Sequence, residues 1–165
     1  MKPSCLRRST AAAALLCGAA LVAPARANIA RLDDSTSPRA HVRSDFSNAQ
    51  AMDGHVVVLP LGRIEYRLAM TPHMGRRARI FYVIPANVAG LRSPAGMQVQ
   101  WRGSGAFASG SGRPGDRVQV WNGVVQAPWM NETFDLTLRI DPRELRMPAG
   151  SALSFESFFE IETLP

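Results

Sequence analysis

Glu132-Thr-Phe-Asp-Leu-Thr-Leu-Arg-Ile140 sets Phe134, Leu136, Leu138 and Ile140 in strict alternation with Thr133, Asp135, Thr137 and Arg139. A period of two puts every apolar side chain on one face of an extended strand and every polar one on the other. The same texture spreads outward from this stretch. Arg63–Met70 alternates with Ile64, Tyr66, Leu68 and Met70 facing in, and Met97–Arg102 does so with Met97, Val99 and Trp101. Arg79–Pro85 ends in a proline, which cannot donate to a ladder. His55–Pro60 is apolar throughout, and Leu153–Ile161 carries Leu153, Phe155, Phe159 and Ile161 on one face. No window of a dozen residues shows the 3.6-residue helical period. The pattern predicts an all-β chain: an antiparallel β-sandwich, Ig-like or jelly-roll-like, of about seven or eight strands.

Asn122-Gly123 stands between two further runs, Arg117–Trp121 and Val124–Ala127. An Asn-Gly pair in that setting predicts a two-residue hairpin turn. In that register Val118, Val120, Val125 and Ala127 share the core side, while Trp121 and Val124 share the outer face with Gln119 and Gln126. Pro128-Trp129-Met130 follows at once. Two tryptophans and a methionine beside a polar face point either to an interaction patch made of Trp121, Val124, Trp129 and Met130 or to a face covered by the Gly103–Asp116 loop or the N-terminal tail.

The beginning of the chain reads differently. Lys2, Arg7 and Arg8 precede an apolar run from Ala11 to Val22, and Ala25-Arg26-Ala27 supplies an A-x-A cleavage site behind Pro24. This is the composition of a secretory signal peptide over residues 1–27, with a run too short to span a bilayer. Leu16, just before Cys17, argues against a lipoprotein. The expected location is the periplasm, the cell surface or the medium, with no transmembrane segment left after cleavage. Residues 28–54 are polar and without period, which predicts a flexible tail ahead of a single domain over 55–165.

Removing the leader changes the chemistry that is available. The chain has a formal charge of +6, with 19 basic and 13 acidic residues, but Lys2, Arg7, Arg8 and Arg26 all belong to the leader. Fifteen cations against thirteen acids leave +2, and only Arg76-Arg77-Ala-Arg79 forms a basic cluster. No continuous stripe exists for nucleic acid. Both cysteines, Cys5 and Cys17, and the sole lysine also go with the leader, which removes disulfide, thiolate and Schiff-base chemistry.

The remaining motifs favour plain readings. The glycine-rich stretch Gly103–Asp116 precedes a strand rather than a helix, so it reads as a connection and not a phosphate cradle. His41, His55 and His73 do not fall at metal-ligand spacing. Asp33-Asp34 and Glu156, Glu160 and Glu162 read as solvated faces that pair with arginines across strands. No catalytic residue, metal or cofactor is expected.

Taken together, a polar N-terminal extension, a short-stranded sandwich and a final alternating strand after Gly150 resemble the layout of pilus subunits built by strand donation. The resemblance implies self-assembly or protein partners. Two other classes stay open: a monomeric module binding a sugar or peptide on Trp101, Trp121 and Trp129, and a hydrolase whose carboxylates meet only in the fold.

Overall fold

The structure is a computed structural model that describes residues 28–38, 50–52, 55–146 and 156–165. The leader at 1–27, His41 and the run from Leu153 to Phe155 lie outside the described residues. Among the described residues there is no α-helix. The strands are β1 (Asn28–Arg31), β2 (Gln50–Met52), β3 (Val56–Ala69), β4 (Arg77–Val83), β5 (Met97–Gly103), β6 (Gly110–Gly112), β7 (Arg117–Val124), β8 (Trp129–Ile140) and β9 (Phe158–Thr163). They form two antiparallel sheets, one of four strands in the order β1-β9-β4-β7 and one of five in the order β2-β3-β8-β5-β6. The chain is an all-β sandwich.

Alternation explains the core directly. Phe134, Leu136, Leu138 and Ile140 of β8 are buried, as are Met97, Val99 and Trp101 of β5. From the facing sheet come Ala78, Ile80 and Tyr82 of β4 with Phe159 and Ile161 of β9. Aromatic rings join the layers edge-to-face: Tyr66 lies 4.9 Å from Phe159, and Tyr82 lies 4.8 Å from Trp101 and 5.3 Å from Phe134. Pairs of this geometry contribute about 0.5–1.5 kcal/mol each beyond their buried area. The Tyr82 hydroxyl is satisfied inside the core by Ser157 Oγ at 2.6 Å, and burial holds its pKa well above the usual 10.

Two bulges depart from the simple strand reading. The segments 55–60 and 63–70 belong to one strand, β3, whose register against β8 shifts between Pro60 and Gly62. Gly62 sits at φ +79°, a conformation that only glycine adopts without strain, and this lets the strand bend rather than end.

The second bulge corrects the hairpin. β7 runs straight through Asn122-Gly123, pairing Asn122 with Arg79 and Gly123 with Ala78 of β4. The real reversal is Val125–Pro128, and it leads into the other sheet. A register shift opposite Ile80 and Phe81 then leaves Val120 unpaired. One extra residue inverts the alternation, so Val120 and Trp121 both face the core. Trp121 lies opposite buried Ile80, and its ring covers Gly123, where a Cβ would stand 2.7 Å from it. The glycine is required by that ring and not by a turn.

The expected tail also needs correcting where it is described, since β1 and β2 are edge strands of the two sheets. The glycine-rich connection likewise contains β6, paired with β5 through Gly110 and Gly112.

The bulge makes a contrast that chemical denaturation reads. Trp121→Ala should cost about 2–3 kcal/mol, below the range for a fully buried ring. Val124→Ser, on the outer face, should stay within about 0.5 kcal/mol. Equal, small effects would mean that Trp121 lies outside.

Candidate interaction surfaces

The first surface is the edge of β9. β1 pairs with it antiparallel, Asn28 opposite Thr163 and Arg31 opposite Glu160. Ala30 packs inward against the core, and Leu32, one step beyond the strand, is 2% exposed with its N–H donated to Phe159 O at 2.9 Å. The chain then crosses to the other sheet. Asp33 O accepts the Ala69 N–H at 2.9 Å, and Ser37 Oγ accepts the Arg67 N–H at 2.8 Å. The crossing is turned by the Asp33 carboxylate, which accepts the Ser35 N–H and is held below the usual carboxylate range by it. Residues 28–37 therefore clasp one side of the sandwich, touching β9 and β3. On the outside, the Arg31 guanidinium stacks 4.5 Å from the Phe158 ring.

The opposite side is closed by the glycine-rich connection. Phe107, 3% exposed, is inserted between the sheets, 5.6 Å from Phe159. Glu132, 5% exposed on β8, accepts the Ala106 and Phe107 N–H groups, both at 3.2 Å. A Cβ at Gly105 would run into that carboxylate. The loop does cradle an anion with its backbone, but the anion is the protein's own side chain.

The second surface is the end of the sandwich where residues 70–76 join β3 to β4 and 125–128 join β7 to β8. The two connections are tied by Met70 N–H to Pro128 O at 2.8 Å, Gly75 N–H to Val125 O at 2.9 Å and Val125 N–H to Arg76 O at 3.0 Å. Met74, Val124 and Trp129 protrude here, 44%, 45% and 38% exposed. Arg67 stacks on Trp129 at 4.5 Å, and Arg76, Arg77 and Arg79 are exposed. His73 is pushed below its usual 6.5 by desolvation first and by Arg76 second. Of the expected patch, Val124 and Trp129 reach this surface, whereas Trp121 and Met130 pack against the core. Met74 and Arg67 were missed, because only the fold brings β3, its following loop and β8 together. The arginines were visible as the one basic cluster.

Other polar groups are engaged elsewhere. Arg117 lies 3.4 Å from the Phe81 ring centroid and pairs with Glu160 at 2.7 Å and Glu162 at 3.5 Å. Asp135 faces Arg63 at 3.8 Å, and Arg143 lowers the Asp141 pKa to about 2. Among the described residues no group of three or more His, Cys, Asp or Glu is placed to hold a metal ion. A shallow depression of about 370 Å³ is lined by residues 86–89 and 91–94, which include no carboxylate. No family model, curated protein or solved structure matches this chain.

If the clasp belongs to the domain, Leu32→Ala should lower the unfolding free energy by about 2–4 kcal/mol. Ile29→Ala, at a position 55% exposed, should change it by less than about 0.5 kcal/mol. Urea titration of the two variants checks this, and an unchanged midpoint for Leu32→Ala would return residues 28–37 to the status of a tail.

Proposed function

We propose that this chain is exported by its leader and acts as a non-catalytic subunit that assembles by exchanging its N-terminal segment with other copies. The observation that carries the reading is the way β9 is completed. This last strand supplies Phe159 and Ile161, both 0% exposed, and one of its two edges is covered by only the four residues of β1. An unpaired, regular strand edge is a template for another chain. β3 carries Pro60 and a bulge, and β7 carries a bulge, while β5, regular like β9, is covered by β6, which residues 104–109 tie directly to it in the same chain. β9 pairs with both neighbours without a register shift.

The energetics permit exchange. Burying Leu32 contributes about 1.5–3 kcal/mol, and each clasp hydrogen bond about 0.5–1.5 kcal/mol net. That is a fraction of a typical domain's ~5–15 kcal/mol, so the clasp can open without global unfolding. Cleavage after Ala27 would make Asn28, the first residue of β1, the free end of the chain. The stretch from Pro38 to Gln50 can reach at most about 40 Å when extended, enough to deliver the segment to a neighbour. A copy that receives Ala30 and Leu32 from another makes the same contacts as a closed monomer. Concentration then sets the balance between the closed monomer and the exchanged form, and the exchange either closes into a dimer or continues as a fibre.

The monomeric tryptophan platform has less support. Trp101 is 3% exposed with its indole N–H donated to Ala108 O at 3.0 Å, and Trp121 faces inward. Only Trp129 is left at the surface.

Size-exclusion chromatography of residues 28–165, refolded over a range of concentrations, tests assembly. Oligomers should grow with refolding concentration and disappear when residues 28–37 are deleted. A synthetic peptide of residues 28–38 should then bind the truncated chain. A monomer at every concentration, together with no peptide binding, would overturn the reading.

A further inference from the structure

We propose that the end of the sandwich formed by residues 70–76 and 125–128 docks on an anionic lipid surface. Three of the four large hydrophobic side chains exposed among the described residues, Met74, Val124 and Trp129, stand on or beside these two connections. Residues 70–79 and 122–131 contain no acid, while Arg76, Arg77 and Arg79 are all exposed. The acids nearest to this end are Glu162, which pairs with Arg117 at 3.5 Å, and Asp33 and Asp34, which lie on its Arg67 side, away from Arg76, Arg77 and Arg79 in sequence and sheet. The end is therefore apolar at its tips and cationic around them.

Shape selects the class of partner. A peptide or a glycan is held by a concavity that surrounds it, but these apolar groups protrude, Met74 from one connection and Val124 and Trp129 from the two ends of the other. The depression lined by residues 86–89 and 91–94 lies beyond the far end of β4. Two copies meeting end to end would oppose their arginines. A lipid surface needs no concavity. It accepts Met74 and Val124 among its acyl chains and an indole at its boundary, while arginines pair with phosphate oxygens in a bidentate way. Arg67, stacked on Trp129, places a guanidinium beside the ring that would enter. The inference does not depend on strand exchange, since none of these residues belongs to the clasp.

Co-sedimentation of residues 28–165 with vesicles tests it, at concentrations where the chain is monomeric. The vesicles are phosphatidylcholine alone or phosphatidylcholine with one-third phosphatidylglycerol. Binding should appear with the anionic vesicles, weaken in high salt and be slight with the neutral ones. Arg76→Gln combined with Arg77→Gln should lower the partition coefficient roughly 10–30-fold. Trp129→Ala should lower it several-fold while leaving the circular dichroism unchanged. Equal binding to both vesicle types, wild-type partition by the arginine variant, binding to polyglutamate but not to vesicles, or sedimentation without vesicles would each overturn the proposal.

Discussion

Strand β9 needs a partner on both of its edges, and the rest of the structure is arranged around that requirement. Its inward side chains, Phe159 and Ile161, fill the centre of the core, and an unpaired edge beside them would be a regular template for another strand. β4 satisfies one edge through a regular register from Ala78 to Val83. The other edge falls to the first described residues of the chain, which pair from Asn28 to Arg31 before Leu32 closes the interior. Segments far apart in the sequence thus meet in one ladder, and Ala30 and Leu32 share the interior with Phe159 and Ile161.

The remaining devices serve the same enclosure. One side of the sandwich is closed by the clasp, the other by Phe107 and the loop that Glu132 holds. A buried carboxylate is tolerable there because two backbone N–H groups face it, and the loop remains tight because Gly105 adds no side chain. On the outer face of the four-stranded sheet, arginine planes cover the aromatic rings that alternation turns outward, Arg117 over Phe81 and Arg31 over Phe158. Phe81 is 9% exposed although it points away from the core. Of the large hydrophobic side chains left exposed among the described residues, Ile29 lies on β1 and the other three, Met74, Val124 and Trp129, share one end.

Much of this was legible from periodicity. β8, β5 and the inward residues of β3, β4 and β9 follow from alternation, which is a property of the chain itself. Asn122-Gly123 shows where local reading stops. The pair has strong turn chemistry, yet β4 offers it a strand partner, and the unpaired Val120 then turns Trp121 inward. A bulge leaves no mark in composition, so Trp121 reads as outward from the sequence, whereas Met130 turns inward by the plain alternation of β8 with Glu132 and Phe134. β1 was hidden for another reason. Four residues with a small Ala30 facing in and Arg31 facing out carry too little periodicity to be seen, and their pairing depends on residues far along the chain. The exposure of Trp129 was legible; the arginine stacked on it belongs to another strand and was not.

Whether β9 is completed by its own β1 or by that of a second copy is the central question, and the absence of cysteine from residues 28–165 makes it directly measurable. Ile29 and Glu162 are opposite partners on the outer face. A chain carrying Ile29→Cys, co-refolded at high concentration with a chain carrying Glu162→Cys and treated with a short thiol cross-linker, should give a covalent heterodimer. A doubly substituted chain that cross-links only within itself, with no heterodimer from the mixture, would contradict strand exchange.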